Sequence, residues 1–409
     1  MNAALPEAPV CAAAPSRGIG LHYSAMQRVV GEQKMVVVDF DNQGPKLQMI
    51  DVLLLCGGRS TEHEISLESC LSVASALDRA KYAPHVVGIT REGVWKYYGD
   101  APFAADIGSA GTIHLIDGAP VCFPARDGDG VSLHVSGQTR TVPFAVAFPV
   151  LHGAFGEDGT IQGLFQMLGV PYVGCDMTSS ANCMDKALTK LILEAGGFHT
   201  APSVTLRRGG DFRIDDIVSR LGLPLFVKPA RAGSSIGISK VKTAPMLAAA
   251  LETAFRYDSK VLVESAICGR EIECGVLQRG DGTLFAALPG EVVPHAEFYD
   301  YDAKYLDAAG ASVYSEARLD QPLQDEVRAM AIGAFRELGC SGMARIDFFL
   351  TPDGRLILNE VNTIPGFTSI SLYPQMMANS GMPYPALLDE LIAAARYNFN
   401  ALNAVEVRK

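Results

Sequence analysis

Met49 to Cys56, MIDVLLLC, is apolar at every position but Asp51 and is closed by Gly57-Gly58. So short and continuous a run predicts a strand buried on both faces rather than a half-exposed one. Beyond the glycines, Ile65, Leu67, Cys70, Leu71, Ala74 and Leu77 recur near helical spacing, and His85 to Ile89 reads as a second strand. Strand, helix and strand in that order open an α/β domain whose ligand edge is the loop after the first strand. Residues 99–140 contain Gly and Asp without a clear period and are read as a variable region. VPFAVAFPVL then predicts another buried strand and HGAFGEDG a glycine-punctuated loop. Ile161, Leu164, Phe165 and Leu168 predict a helix opening near Thr160.

The first domain, residues 49–174, is expected to end near Gly174. A second, 175–265, begins with the helical stretch MDKALTKLILEAGG, stopped by Gly196-Gly197. It continues through the strand LPLFVK, the small-residue loop PARAGSSIG, the strand ISKV, a helix with Thr243 as N-cap and the strand KVLVE. A third, 266–401, reads as antiparallel strands and closing helices. Ahead of Met49 the pattern fades. Ala and Pro dominate the first stretch and one VVVDFD run stands alone, so residues 1–48 are expected to be a poorly ordered extension.

Composition narrows the function classes. With 48% hydrophobic and 19% charged residues the chain has material for a large core and is not a disordered sequence. A formal net charge of −11 argues against a general nucleic-acid or anionic-membrane binder, so any phosphate ligand must be met by a few placed cations. The nine cysteines are scattered and form no Cys-x-x-Cys pair, which disfavours a disulfide scaffold or structural zinc and fits a reducing compartment. No run of 18 apolar residues is present, and the N-terminus lacks the basic segment of a secretory signal. A cytoplasmic protein is expected.

Chemistry concentrates in two places. In MARIDFFLTPDGRLILNEVNTIPG, TPDG is a turn between two strand-patterned runs. Period-two alternation puts Arg345 and Asp347 on one face, and Glu360 and Asn362 on one face of the next strand. A turn of two or four residues would set Arg345 opposite Glu360 and Asp347 opposite Leu358. Carboxylate and amide oxygens gathered this way suit a hard cation such as Mg²⁺, while an ordinary Arg–Glu cross-strand pair remains the plainer reading. The second place is Lys228 and the loop to Gly237, whose small residues expose backbone N–H groups able to wrap a phosphate. Gly233, Ser235 and Gly237 also spell Gly-x-Ser-x-Gly. A nucleophile elbow needs a helix after the serine, however, and ISKV reads as strand. Taken singly, Lys186, Glu62, Glu264, Glu271, His152 and the tyrosines 299, 301 and 305 each have an ordinary structural reading.

In order along the chain, GGRSTEHEISLES, LHGAFGEDGTIQG, VGCDMTSSANCMDK, VKPARAGSSIGISKV, ESAICGREIECGVL, GEVVPHAEFYDYDAKY and GMARIDFFLTPDGRLILNEVNTIPGFTSISLYP resemble the D-alanine–D-alanine ligases of the ATP-grasp superfamily, over about residues 49–400. The resemblance implies an α/β fold of three-domain ATP-grasp architecture that joins two D-alanine molecules through an acyl phosphate for peptidoglycan precursor synthesis. By that resemblance Lys186, Lys228 and Ser235 would meet ATP phosphates, and Glu264, Ser265, Ile267 and Glu271 the adenosine. Asp347, Glu360 and Asn362 would ligate two Mg²⁺ (or Mn²⁺). Glu62 would bind the first D-alanine, linked through Ser234 to Tyr305, with His152 lining the same pocket. Arg345 and the Gly366 N–H would stabilise the oxyanion, Lys304 would approach the transferred phosphate, and Ser371 would bind the second carboxylate. Partners would be small molecules, D-alanine and ATP, with no nucleic acid and no membrane; a homodimer is left open. The alternatives are a D-alanine–D-lactate ligase, another ATP-grasp carboxylate–amine ligase, or a catalytically silent nucleotide-binding protein. The extension has no counterpart in the family pattern.

A chain starting at Met49 is therefore expected to fold and work. A melting temperature or soluble yield far below that of the full chain would show that residues 1–48 pack on the body.

Overall fold

The computed structural model describes residues 49–99, 115, 118–127, 130–136, 141–295, 311–368 and 370–404. The extension, and the loop carrying Tyr299, Tyr301, Lys304 and Tyr305, lie outside the described residues.

β1 (Ile50–Gly57) sits inside a seven-stranded sheet, paired in parallel with β2 (Tyr82–Ile89) and β7 (Val146–Pro149). Its unbroken apolar run has the expected cause. Val52, Leu54 and Cys56 face one core with α1 (His63–Ala76), whereas Leu53 and Leu55 face another with α2 (Thr160–Leu168). The rest of this sheet departs from the expectation. β3 (Trp95–Gly99), β4 (Ala119–Asp127), β5 (Gly130–Val135) and β6 (Thr141–Phe144) extend it as an antiparallel meander. The variable region thus contains strands; Pro120 and Pro124 break their alternation, and a bulge between Cys122 and Ala125 absorbs the second proline. The single strand read over VPFAVAFPVL is two, split at Ala145, with β6 and β7 at opposite edges of the sheet.

The second sheet runs β10-β9-β11-β8, all antiparallel: β8 (Ser203–Arg207), β9 (Leu225–Pro229), β10 (Ser239–Val241) and β11 (Lys260–Ser265). One face buries Leu225, Val227, Val261 and Val263 against α5 (Ile214–Leu221) and α6 (Ala244–Tyr257). Alternation puts Phe226, Lys228 and Glu264 on the other. Thr243 does sit at the N-cap of α6, though its side chain makes no capping bond. The helix expected over MDKALTKLILEAGG starts later than its pattern suggests. α3 (Met177–Met184) ends at Asp185, and α4 (Lys186–Ala195) begins there. Asp185 is extended, and its carboxylate accepts from the N–H groups of Ala187 and Leu188 and binds Lys260.

The third sheet has the order β15-β14-β12-β16-β17, with β13 also on β12. Its strands are β12 (Arg270–Gln278), β13 (Leu284–Ala286), β14 (Gly290–Pro294), β15 (Ala311–Tyr314), β16 (Met343–Leu350) and β17 (Leu356–Asn362). α7 (Gln321–Glu337) covers one face through Val327, Ala331, Ala334 and Phe335. On the other face α8 (Leu372–Asn379) and α9 (Tyr384–Asn403) bring Tyr373, Met376, Leu387 and Leu391 into the same core as Val52, Leu54 and Cys56. Shared apolar packing thus ties the first sheet to the third, and the candidate residues collect along that seam. Among the described residues no helix is long and apolar enough to cross a membrane.

Phe335, 1% exposed beneath the third sheet and away from the candidate residues, tests that core. Phe335→Ala should cost about 3–5 kcal/mol, read as a lower urea midpoint; an unshifted midpoint would contradict the packing.

Candidate active site

One cavity is lined by Lys186, Lys228, Ser234, Ser235, Glu264, Ser265, Ile267 and Glu271 together with Glu360 and Asn362. All seven residues expected at a nucleotide are in that set, drawn from α4, β9, the loop after it, β11, the turn that follows and β12. At its floor Glu264 is buried between two lysines, its Oε1 2.8 Å from Lys190 Nζ and its Oε2 2.6 Å from Lys228 Nζ. Burial opposes each charge, but the attraction wins. Lys228 stays above the usual lysine range beside Glu264, and Glu264 stays below the usual carboxylate range beside Lys228 and Lys190. The stability Lys228 contributes is present below the ordinary lysine pKa and lost as pH rises through its raised value. That of Glu264 is present above the ordinary carboxylate pKa and lost as pH falls through its depressed one. Lys228 and Glu264 are therefore both charged around neutrality. Lys186 Nζ donates to Ala232 O at 2.8 Å and lies 3.8 Å from Glu360 Oε2.

The loop over this floor is strained. Ser234 and Ser235 have φ of 49° and 59°, left-handed values that a Cβ disfavours, and Gly237 has 71°. β10 follows rather than a helix, so the Gly-x-Ser-x-Gly spelling is not a nucleophile elbow. The Ser234 hydroxyl donates to the Glu62 carboxylate, across from the N-terminus of α1. Two glycines permit the approach: a Cβ on Gly153 would lie 2.5 Å, and one on Gly233 2.9 Å, from Glu62 Oε2.

The hairpin corrects the expected register. Arg345 pairs with Asn362 and Asp347 with Glu360; then the ladder slips, and Phe348 pairs with Leu358. The loop 351–355 is longer than the turn assumed, and Asn359 bulges. The four polar residues still share a face, because both shifts preserve it on the Glu360 side. Arg345 grips Asp347 with Nε 2.8 Å from Oδ1 and Nη2 2.7 Å from Oδ2, while Nε is 2.9 Å from Glu273 Oε2. Burial works against this guanidinium, but Asp347, Glu273 and Glu360 hold its pKa above the usual range. Asn362 Nδ2 is 2.9 Å from Asp347 Oδ2. Among the described residues no three His, Cys, Asp or Glu side chains close around a metal. Two carboxylates and an amide on one face offer the hard oxygen donors that suit Mg²⁺, with Asp347 buried against Arg345 and Asn362.

Beside the hairpin, the His152 loop meets the segment after β17. His152 Nδ1 is 3.1 Å from Ile364 O and its Nε2 3.1 Å from Ser69 Oγ. Burial pushes the imidazole below its ordinary pKa against the pull of Glu62, so it is neutral. The carbonyl assigns the proton to Nδ1, and Ser69 then donates to Nε2 and accepts from Phe367 N–H at 3.3 Å. Glu157 accepts from Gly153 N–H at 2.8 Å and Ile364 N–H at 3.1 Å. Burial and the nearby Glu62 carboxylate push its pKa up to about 8, against those two bonds and Arg345. Gly366 abuts Ser371, whose Oγ would lie 2.6 Å from a Cβ there. Lys190, Glu273, Ser69 and Glu157 carried no sequence expectation. Only Glu157 had a visible signal, as an acid inside a glycine loop.

Two family models match, the D-ala D-ala ligase N-terminus over residues 51–175 and the D-ala D-ala ligase C-terminus over residues 192–393. A D-alanine–D-alanine ligase of Sodalis glossinidius is 48% identical over 355 residues, 84% of this chain and 94% of that protein. D-alanine–D-alanine ligase A of Escherichia coli K12 is 39% identical, covering 88% and 99%. Among solved structures, the D-alanine–D-alanine ligase of Coxiella burnetii superposes with a TM-score of 0.75 at 37% identity, covering 87% of this chain and 96% of that one. The VanG D-Ala:D-Ser ligase of Enterococcus faecalis superposes with 0.74 at 37% identity, covering 85% and 100%. With both halves matched and full-length relatives at this identity, the chain belongs to the D-alanine–D-alanine ligase family.

Proposed function

We infer that the protein joins two D-alanine molecules into D-alanyl-D-alanine with conversion of ATP to ADP and phosphate, in the cytoplasm, for cell-wall precursor synthesis. The observation that carries the reading is the meeting in one cavity of Lys186, Lys228 and the serine loop with the Glu360–Asn362 end of the hairpin. The carboxylate of the first D-alanine attacks the γ-phosphorus and ADP departs, leaving an acyl phosphate. The amine of the second D-alanine then attacks the acyl carbon, and phosphate leaves.

Each demand has a candidate among the residues. Glu62 binds the first ammonium, and its bond to Ser234 links that event to the loop. Lys186 and Lys228 offset the charge of the phosphates, with Ser235 on the loop above them. Ser265, Ile267 and Glu271 line the end expected for the adenosine. Glu264 shares any contact there with the two lysines it already binds. Asp347, Glu360 and Asn362 would hold two Mg²⁺ or Mn²⁺ ions, whose chemistry is to neutralise charge on the transferring phosphoryl group. Arg345, fixed in plane by Asp347, and the Gly366 N–H meet the oxyanion, and Ser371 beside Gly366 meets the second carboxylate. Water must be kept out, since an acyl phosphate hydrolyses readily. Lys304 and Tyr305 keep the roles the family resemblance implies. Cys56, Cys70, Cys175, Cys183, Cys268, Cys274 and Cys340 are free thiols.

The test is ADP release with Mg²⁺ and ATP, supplying D-alanine, L-alanine, D-serine or D-lactate in parallel. D-alanine alone should support fast turnover and yield the dipeptide. Equal ADP release without any amino acid would refute ligation, and faster mixed-product formation with D-serine or D-lactate would reassign the second substrate. Glu360→Gln removes one ligand charge and should lower turnover at least ~100-fold with the fold retained. Near-normal activity with an unchanged melting curve would remove Glu360 from the metal set.

A further inference from the structure

The four residues Ile364–Phe367, which include the proposed oxyanion donor Gly366 N–H, are gripped at both ends by groups from outside the hairpin. At the first end Glu157 accepts the Ile364 N–H at 3.1 Å, and His152 holds the Ile364 carbonyl at 3.1 Å. At the other, Ser69 accepts the Phe367 N–H at 3.3 Å and the Tyr384 hydroxyl donates to the Phe367 carbonyl at 2.8 Å. Glu157 is itself anchored, because its second oxygen takes the Gly153 N–H at 2.8 Å and its own N–H bonds Gly153 O at 2.9 Å. One side chain thus stitches the glycine loop after β7 to the chain leaving β17.

We propose that Glu157 is a positioning residue for the ligation reaction: by holding Ile364 N–H against the glycine loop it aims the Gly366 N–H at the acyl carbon's developing oxyanion. This rests on the ligase reading. The two oxygens of Glu157 take one N–H each, which an amide with its single acceptor oxygen cannot do. The site keeps an acid there although burial and the nearby Glu62 push its pKa up to about 8. The charged groups acting on it are Glu62 from the start of α1 and Arg345 from β16, and His152 holds the carbonyl of the same Ile364.

Glu157→Gln keeps the size of the side chain but turns an amide N–H₂ toward one of the two N–H donors. It should lower kcat about 100-fold, the cost of a slightly misplaced donor, while KM for ATP stays within about twofold because Lys186, Lys228, Glu264 and Glu271, which line the same cavity as Glu157, are untouched. Hydrogen–deuterium exchange of the peptide spanning 361–368 should quicken, with exchange in β1 and α7 unchanged. Glu157→Asp keeps two carboxyl oxygens on a shorter stem and should fall between the two in both readouts; should the glutamine variant fail to fold, the aspartate variant alone decides. A normal kcat, or a fall in kcat with unchanged exchange in 361–368, overturns the proposal. The parent protein is assayed alongside. Absence of D-alanine-dependent ADP release from it refutes the ligase reading instead, and the exchange data still report whether Glu157 holds the segment.

Discussion

Charge taken out of water must find a partner, and the cavity of this protein is built around that requirement. Glu264 is buried and survives as a carboxylate because Lys190 and Lys228 flank it. Arg345 survives because Asp347 and Glu273 face it, and Asp185 and Lys260 satisfy each other at the junction of α3 and α4. Removing one member would strand its partner without solvent. These pairs also hold Lys228 and Asp347 in place before any ligand arrives, so little reorganisation is left for the reaction itself.

The same strands that carry these charges also carry the core, and alternation keeps the two apart. On β9, Leu225 and Val227 enter the α5–α6 core while Phe226 and Lys228 line the cavity. On β16, Ile346 and Phe348 enter the α7 core while Arg345 and Asp347 lie on the opposite face. Packing on one side therefore fixes polar geometry on the other to within the tolerance of a closely packed interior.

Much of this was legible before the coordinates. The buried strand at Ile50, the helix opening at Thr160 and the shared face of Arg345, Asp347, Glu360 and Asn362 follow from periodicity, which depends only on local geometry. The hairpin register does not, because loop length and a bulge at Asn359 are not written in hydrophobic pattern. β4 was obscured by Pro120 and Pro124, the second of which falls within its bulge. Nothing local marks Lys190, and only the tertiary approach of Glu264 and the Ala201 carbonyl makes it an interior cation. Nothing local marks Ser69 either, since its bond to His152 spans 83 positions of chain.

Ser234 and Ser235 occupy left-handed backbone where glycine would rest without cost. For an L-residue that conformation costs about 1–2 kcal/mol, so the loop is wound like a spring, with the bond from the Ser234 hydroxyl to Glu62 acting as its catch. A protein engineer who relaxed the turn with glycine would gain a calmer loop and lose both the tension and the hydroxyls that use it. Thermostabilisation of this chain is better sought in the α5–α6 layer, where tightening the packing leaves that spring untouched.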